Sequence, residues 1–352
     1  MAVKTRAMLR EQLMRSPISS YGGYHRLSFD AMGTVNEIIF SAVSTARAMA
    51  FREDMFDWLA DFEFRYSVYI DNSLISEINR QAGREAVPTD PMTEELLALC
   101  HWYNWKTRGL FDPTAGPLIN LWSFHRRHTA LPGEDEIERA RELVGWANVE
   151  RSAGQVRLKN EGMILDFGGI GKEYAVDCLV RMGTEQGIAN MLVNLGRDIK
   201  AIGSPPEGGA WRVGLEFPDG TNRCWAGVGL DHISICCSGH YARCFFLDGV
   251  RYSHIINPRT GYPSTVDCEA VWVLSPSCVE AGILSTTSAL LDSDDALRLI
   301  AADVGASGCY WKKGGRYETR TFDSYVIKRK KSRNDNAGGA AAVAAVHAGA
   351  AC

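Results

Sequence analysis

The stretch LDFGGIGKEYAVD, residues 165–177, reads as the end of a buried strand, a carboxylate, a glycine-rich turn and the first turn of a helix. Backbone N–H groups at a helix start favour an anion such as a phosphate. The spacing fits neither common nucleotide fingerprint. A P-loop needs glycine at Asp166 and Ser or Thr at Glu173, and the dinucleotide pattern needs its third glycine at Tyr174. Two interpretations stay open at this point, a phosphate site of another kind and a tight turn between a strand and a helix, and the stretch taken alone favours the turn.

The composition is typical of a soluble globular protein. The chain has 352 residues, of which 46% are hydrophobic and 23% are charged, and this length suffices for one large domain or two smaller ones. A formal net charge of -4 argues against a nucleic-acid binder that relies on bulk charge. We therefore expect no nucleic-acid partner.

The cysteines and the apolar runs bear on the cellular setting. The ten cysteines are spread along the chain without any C-x-x-C pair, which argues against a zinc site. The N-terminal residues are charged throughout and lack the apolar core of a secretory signal. No apolar run approaches the roughly 18 residues of a membrane span. We expect free thiols, no membrane span and a cytoplasmic location.

The spacing of apolar residues predicts several regular elements. A strand pair interrupted at 32–34 precedes a long helix over 44–65, in which apolar side chains recur at helical spacing. The segment 191–273 alternates short apolar runs with turns, which predicts antiparallel strands. The stretch from 278 to 292 predicts a further helix.

Three local predictions concern the segments rich in glycine and proline. The stretch LFDPTAGPLINLWSFH, 110–125, contains too much Pro and Gly for one regular element and is predicted to be a long ordered loop. MILDF, 163–167, is predicted to be a strand. Gly183 is predicted to cap the C-terminus of the helix that follows the glycine-rich turn.

Composition divides the chain into three parts. Residues 1–24 are predicted to form an N-terminal arm, and residues 25–327 the folded domain. Residues 328–352 are first basic and then rich in Ala and Gly, so they are predicted to be a disordered tail.

Six segments carry a resemblance to a known family. They are AMGT (31–34), YSVYIDNSLISEIN (66–79), FDPTAGPLINLW (111–122), LDFGGIGKEYAVD (165–177), LVNLGRDIKAIG (192–203) and YSHIINPRTGYP (252–263). In this order and at similar separations, they resemble the FAD:protein FMN transferase family, also called ApbE-like flavin transferases. The resemblance implies an α+β fold with mixed, largely antiparallel sheets, packed helices and a flavin cleft.

The resemblance also implies a reaction and a set of flavin contacts. FAD would be cleaved at its pyrophosphate and the FMN half passed to a Ser or Thr hydroxyl of an acceptor protein, with Mg²⁺ assisting. Lys172 suits a phosphate by its charge, and Tyr69 suits an aromatic ring by its flat side chain. The flavin-contacting positions that the resemblance implies are Met32, Tyr69, Leu110, Phe111, Asp112, Asp166, Lys172 and Ile256.

The resemblance implies that His254 is the catalytic residue. Transfer to a hydroxyl needs a base near the acceptor oxygen, and histidine, with an ordinary pKa of about 6.5, suits that task. The tight turn NPRTG at 257–261 follows it. We expect that turn to hold the ring in a fixed place.

One part of the family pattern is depleted. The family usually carries A-D-x-x-[AD]-T, whose first Asp and Thr bind the metal together with a backbone carbonyl at the position of Gly169. This chain has AGILST at 281–286, in which Gly282 replaces the first Asp, Ser285 stands at the optional acidic position and Thr286 is retained. The expected metal positions are therefore Gly169, Ser285 and Thr286. We expect a weak Mg²⁺ site that an aspartate at position 282 would strengthen.

Three functions stay open at this point. The first is an Mg²⁺-assisted FMN transferase, whose partner is an acceptor flavoprotein with a Ser/Thr flavinylation motif. The second is a degenerate member that binds FAD or FMN without transfer, which the depleted metal positions favour. The third is an FAD pyrophosphatase that releases FMN and AMP, because water can replace the acceptor hydroxyl.

Overall fold

The computed structural model of the chain describes residues 4–124, 130–241 and 244–327. The α-helices in these ranges are α1 Arg6–Met14, α2 Thr45–Tyr66, α3 Leu74–Arg80, α4 Pro91–Lys106, α5 Gly116–Trp122, α6 Glu134–Glu142, α7 Gly171–Glu185, α8 Cys278–Ser288 and α9 Ser293–Ala301. The strands are β1 Ile18–Tyr21, β2 Tyr24–Ala31, β3 Thr34–Ser41, β4 Val87–Pro88, β5 Val149–Ser152, β6 Gln155–Leu158, β7 Met191–Leu195, β8 Asp198–Ile202, β9 Trp211–Glu216, β10 Cys224–Leu230, β11 Ile233–Gly239, β12 Cys244–Leu247, β13 Val250–Ser253, β14 Ala270–Ser275, β15 Ser307–Lys312 and β16 Gly315–Glu318. The predicted tail at 328–352 lies outside the described residues.

The largest sheet has nine strands in the order β1-β2-β3-β7-β8-β11-β14-β15-β16. Every neighbouring pair in it is antiparallel. Between β3 and β7 the chain leaves this sheet to build helices α2 to α7 and a small three-stranded sheet of β4, β6 and β5. The α+β class with largely antiparallel sheets is therefore confirmed. No helix in the described ranges has the length and apolar character needed to cross a bilayer.

Both faces of the nine-stranded sheet are buried at its central strands, such as β7, β8 and β14. Side chains alternate between the two faces of a strand, so Val271 and Val273 of β14 join the larger core cluster with residues of α2, α7 and α8. Trp272 and Leu274 join a second cluster with Trp211 of β9. Helices therefore cover one face of the sheet, and the hairpin of β9 and β10 covers the other.

The first described residues are part of this core. Helix α1 begins after Thr5, whose hydroxyl oxygen accepts a hydrogen bond from the backbone N–H of Met8 at 3.3 Å. Leu9 and Leu13 of α1 are only 3% exposed and belong to the larger core cluster. Strand β1 pairs with β2 at the edge of the nine-stranded sheet. The boundary predicted at residue 24 therefore falls within a hairpin and does not separate an arm from the domain.

Three local predictions are wrong. The stretch predicted as a loop at 110–125 contains helix α5, because Pro117 occupies its first turn, where a missing N–H costs nothing. The predicted strand at 163–167 forms only one isolated bridge, between Ile164 and Ala115. Gly183 lies inside α7 and does not cap it. A Cβ at Gly183 would lie 2.2 Å from the Cε of Met191, so glycine here permits close packing of the helix on β7.

One carboxylate joins α7 to α8. Asp177 of α7 accepts hydrogen bonds from the Ser277 hydroxyl at 2.9 Å and from the backbone N–H groups of Cys278 and Val279, both at 3.1 Å. These groups form the N-terminus of α8, where a negative charge is favourable. The Nζ of Lys200 on β8 also lies 2.6 Å from Asp177. The two helices and the sheet are thereby held in one register.

We predict that Asp177→Ala lowers the free energy of unfolding by about 3 kcal/mol, since hydrogen bonds to charged groups each contribute about 1.5–3 kcal/mol. Urea unfolding followed by circular dichroism measures the change. The matched control is Asp292→Ala, which removes a capping carboxylate from the exposed start of α9 and should cost about 1 kcal/mol. An Asp177 variant no less stable than the Asp292 variant would contradict the importance of this contact.

Candidate functional site

The segments 111–122 and 252–263 are joined through a buried tryptophan. Trp122, at the end of α5, has no exposed surface, and its Nε1 donates a hydrogen bond to the carbonyl of Gly261 at 2.8 Å. Ile256, a predicted flavin contact, is buried in the same small apolar cluster. The structure therefore brings together two segments that are far apart in sequence.

Hydrogen bonds tie the glycine-rich stretch to two further segments. The backbone N–H of Asp166 donates to the carbonyl of Pro113 at 2.8 Å. The Asn79 side chain accepts from the backbone N–H of Leu165 at 2.7 Å and donates to its carbonyl at 2.9 Å. The start of the turn, at Leu165 and Asp166, is thus anchored by two neighbouring segments.

Met32 and Tyr69 lie on the chain segments next to helix α2. Met32 has a positive φ of 51° in the turn between β2 and β3, and its backbone N–H donates to the Oε2 of Glu63 at 2.9 Å. Tyr69 follows α2 and is 81% exposed. Tyr66, at the end of α2, packs edge-on against Phe167 at 5.6 Å between ring centroids. The ring of Tyr69 is therefore accessible, three residues after the Tyr66 side chain that contacts Phe167.

Leu110 and Phe111 border the same turn. Leu110 is half-buried against the larger core cluster, and Phe111 is 8% exposed. A Cβ added to Gly169 would lie 3.7 Å from the Cε2 of Phe111, so the aromatic ring is in van der Waals range of this turn. The two predicted flavin positions and the predicted metal carbonyl are thus neighbours.

The carboxylate of Asp112 is occupied by contacts within the protein. It accepts hydrogen bonds from the backbone N–H and hydroxyl of Thr114 at 2.9 and 2.6 Å. It also accepts from the backbone N–H of Trp146 and from the Asn104 amide, both at 3.2 Å. Burial raises the pKa of the Asp112 carboxyl, and these hydrogen bonds oppose the rise. Asp112 therefore shapes the loop that carries Phe111.

Charged groups surround the start of α7. The Oδ1 of Asp166 accepts from the backbone N–H of Gly168 at 2.8 Å, and burial raises the pKa of the Asp166 carboxyl while Lys172 opposes the rise. The Nζ of Lys172 lies 3.8 Å from the Oδ2 of Asp198. Burial, and then the neighbouring Glu173 carboxylate, raise the pKa of Asp198. Lys172 is thus a cation held near two carboxylates at the helix start.

His254 is half-buried directly after β13. The hydroxyl oxygen of Ser253, which precedes it, accepts from the backbone N–H of Ile255 at 3.2 Å. The backbone N–H of Ser264 donates to the carbonyl of Ile255 at 2.8 Å, and Ile256 forms a bridge with the chain opposite. The backbone next to His254 is therefore held by hydrogen bonds, and the fixed position of the ring itself stays a prediction.

The predicted metal positions include a cluster of hydroxyl groups on α8. The Oγ of Ser238 on β11 lies 2.8 Å from the Oγ of Ser285 and 2.9 Å from the Oγ1 of Thr286. The Ser285 hydroxyl donates to the carbonyl of Gly282 at 2.9 Å. Within 4–124, 130–241 and 244–327, no group of three or more His, Cys, Asp or Glu side chains could hold a metal ion.

The space beside Gly282 is filled by Glu173. A Cβ at Gly282 would lie 2.5 Å from the Cγ of Glu173 and 2.7 Å from its Oε1, closer than real Cβ atoms approach. An aspartate at position 282 would therefore have to displace Glu173, and it would bring two carboxylates together. The expectation that this change strengthens the metal site stays a prediction, and Glu173 is the side chain that would have to move.

Sequence reasoning missed the contacts that Glu173 and Arg259 make. Glu173 attracted notice only as a departure from the P-loop pattern, although an acidic residue on the buried side of a first helical turn is a usable signal. The Arg259 guanidinium donates a hydrogen bond to the carbonyl of Arg108, which precedes the loop of predicted flavin contacts. It thereby links the NPRTG turn to that loop, and no local pattern predicts this contact.

Solved structures resemble this fold closely. Flavin transferase ApbE from Vibrio cholerae aligns with a TM-score of 0.78 and 26% identity over 88% of this chain and 100% of that one. The ApbE protein from Thermotoga maritima aligns with a TM-score of 0.78 and 28% identity over 87% of this chain and 100% of that one. The architecture is therefore shared along nearly the whole length of both proteins.

Sequence comparisons agree with the structural ones. The ApbE family model matches residues 32–310. The FAD:protein FMN transferase of Treponema pallidum (strain Nichols) is 30% identical over 296 residues, which are 79% of this chain and 82% of that protein. The enzyme of the same name from Salmonella typhimurium (strain LT2) is 28% identical over 309 residues, which are 85% and 88% of the two chains. The chain belongs to the ApbE family of flavin transferases.

Proposed function

We propose that this chain transfers the FMN moiety of FAD to a Ser or Thr hydroxyl of an acceptor protein. The observation that carries the proposal is the exposed turn of Gly168 and Gly169, which directly precedes α7. Phe111 lies beside this turn, and Lys172 is in the first turn of the helix. A turn without side chains at a helix N-terminus fits a pyrophosphate. The names of the related flavin transferases support FAD as the bearer of that pyrophosphate.

The surrounding residues divide between the flavin ring and the phosphates. Met32, Leu110 and Phe111 supply apolar surface for the ring, and the exposed Tyr69 side chain can stack on it. Lys172 supplies positive charge for the phosphates. The main contribution of this arrangement is positioning, because phosphoryl transfer depends on alignment and charge stabilisation more than on covalent chemistry by the protein.

The proposed reaction has one bond formed and one broken at the FMN phosphorus. The acceptor hydroxyl oxygen bonds to that phosphorus, the bond from phosphorus to the bridging oxygen breaks, and AMP leaves. His254 accepts the hydroxyl proton as the oxygen attacks. The hydrogen-bonded backbone next to His254 supports this role, because a general base must be held within hydrogen-bond reach of the proton that it takes.

The oxygen groups at the three expected metal positions fit Mg²⁺ by their chemical type. The carbonyl of Gly169 and the hydroxyls of Ser285 and Thr286 are hard ligands of the kind that this ion prefers. The ion, when bound, stabilises charge on the phosphate oxygens and the leaving group. These positions alone include no carboxylate, so they would hold the ion weakly.

The cysteines support a reducing setting for this activity. All nine cysteines among the described residues are free thiols, and unpaired thiols are usual in proteins of the cytoplasm. A cytoplasmic location is therefore part of the proposal. The acceptor would be a flavoprotein present in the same compartment.

The proposed function is tested with FAD, Mg²⁺ and a purified acceptor protein that carries a Ser/Thr flavinylation motif. We expect equal amounts of AMP and protein-bound flavin, measured by chromatography and by in-gel fluorescence. An acceptor with alanine at the modified position should remain unlabelled. AMP and free FMN without bound flavin would instead identify a pyrophosphatase, and FAD binding with neither product would identify a binding module.

We predict that His254→Gln lowers the rate of flavin transfer by about 100-fold or more, because general base catalysis typically contributes about 10²–10⁴ in rate. FAD affinity should stay nearly unchanged, since a group that acts mainly in the transition state affects turnover more than binding. Single-turnover transfer and FAD titration measure the two quantities. The control is His232→Gln, on the exposed turn before β11. Transfer at the wild-type rate by the His254 variant would remove this residue from the mechanism.

We predict that Tyr69→Ala weakens FAD binding by about 1 kcal/mol, which is within the range of aromatic pair interactions. Quenching of flavin fluorescence on titration measures the dissociation constant. Tyr21→Ala removes another exposed tyrosine, with 52% exposure, at the end of β1. Tyr21 pairs with the start of β2, while Met32 follows the end of β2, so this variant should leave FAD affinity unchanged. Equal affinity in the two variants would mean that Tyr69 does not contact the flavin.

A further inference from the structure

The carboxylate of Glu173 occupies the space that an aspartate at position 282 would fill. An aspartate carries its carboxylate carbon directly on Cβ. At position 282 that Cβ would lie 2.7 Å from the Oε1 of Glu173. The α7 side chain therefore brings a carboxylate to nearly the same point from the opposite side of the helix interface.

One oxygen of this carboxylate has no hydrogen-bond partner. Glu173 is 6% exposed, and its Oε2 accepts no hydrogen bond from any group that the structure describes. A buried carboxylate oxygen without a partner is costly. The nearby lysines have other carboxylates as partners, since Lys172 lies by Asp198 and Lys200 by Asp177. An added cation would satisfy the unpartnered oxygen.

The neighbouring groups on α8 are oxygen donors. Residues four apart on a helix share a face, so Thr286 lies one turn from Gly282, the residue in contact with Glu173. Ser285 and Ser238 extend the row of hydroxyl groups. Carboxylate and hydroxyl oxygens beside a diphosphate are a donor set that suits Mg²⁺, which is usually bound through one or two carboxylates together with substrate phosphates.

The contact between Glu173 and Gly282 follows from the register of α7 and α8. Asp177 lies four residues after Glu173 and binds the backbone N–H of Cys278, which lies four residues before Gly282. The helices therefore run antiparallel with matched turns. Glu173 is positioned by the same packing that holds the interior of the fold.

We infer that Glu173 is the acidic ligand for the divalent cation beside the FAD pyrophosphate, and that it replaces the carboxylate absent from position 282. This inference rests on the proposed function, because it needs FAD in the cleft. With Glu173 as a ligand, the metal site of this chain would have the carboxylate that position 282 lacks. The acidic side chain comes from the first turn of α7 and not from α8.

The test measures Mg²⁺ binding to the FAD-saturated protein by isothermal titration, together with thermal unfolding with and without Mg²⁺. Glu173→Gln keeps the shape of the side chain and removes its charge. We expect it to weaken Mg²⁺ affinity by about tenfold or more. Removal of a residue that only supports a metal ligand already lowers metal affinity by about that factor. Its unfolding temperature without Mg²⁺ should not fall, because a buried unpaired charge has been removed.

Two further variants sharpen the test. Glu173→Gly combined with Gly282→Asp moves the carboxylate back to α8 and should restore most of the Mg²⁺ affinity. Glu185→Gln removes an exposed carboxylate from the last turn of the same helix and should change neither measurement. Gly282→Asp alone should lower the unfolding temperature, because the new Cβ meets the Cγ of Glu173 at 2.5 Å.

Unchanged Mg²⁺ affinity in Glu173→Gln would overturn the inference, and so would a double variant that folds but does not regain affinity. If Glu173→Gln fails to fold, the double variant decides alone, since a purely structural glutamate would not be replaced by an aspartate on α8. Failure of the wild-type protein to bind FAD would instead contradict the proposed function. The two failures are therefore distinguishable.

Discussion

The cap that Asp177 forms on helix α8 is the contact on which the rest of the site depends. Three donors at the start of α8 and the ammonium of Lys200 converge on this carboxylate. Because α7 begins at the glycine-rich turn and α8 carries the hydroxyl cluster, fixing one helix on the other fixes the distance between the two halves of the site. The adjoining strands then hold both helices on one face of the nine-stranded sheet.

The site is assembled from loops, yet each loop is fastened to another by hydrogen bonds. Trp122 holds the turn at Gly261, Pro113 holds Asp166, and Asn79 pairs with the backbone of Leu165. Loops that carry function need a rigid scaffold, and here much of that rigidity comes from contacts between the functional segments themselves.

Much of the fold could be predicted because its signals are local. Ser44 caps α2 where the apolar spacing begins, and the turn at Met32 joins two strands as the pattern indicates. Helix α5 was missed because proline at a first turn does not break a helix. Gly183 was misassigned because its reason is tertiary, namely close contact with Met191. The family was also predicted correctly from the six segments.

The part of the site that sequence could not predict is the contact between Glu173 and Gly282. In the sequence, Glu173 is a departure from a nucleotide-binding motif and Gly282 is a departure from a metal-binding motif. Only the helix register shows that they share one space. The spacing of residues within one segment does not predict contacts between two helices. The contact between Glu173 and Gly282 is therefore visible only in the folded structure.

The shared space at Glu173 and Gly282 also constrains how such a chain can change over generations. A chain with the acid on α8 and a small residue on α7 would reach the present arrangement through one of two single substitutions. The intermediate with both acidic residues crowds two like charges into the volume of one side chain. The intermediate with neither acidic residue has no carboxylate there. The Glu173 side chain fits its place because position 282 is glycine, so if Glu173 is the metal ligand, substitutions at the two positions depend on each other.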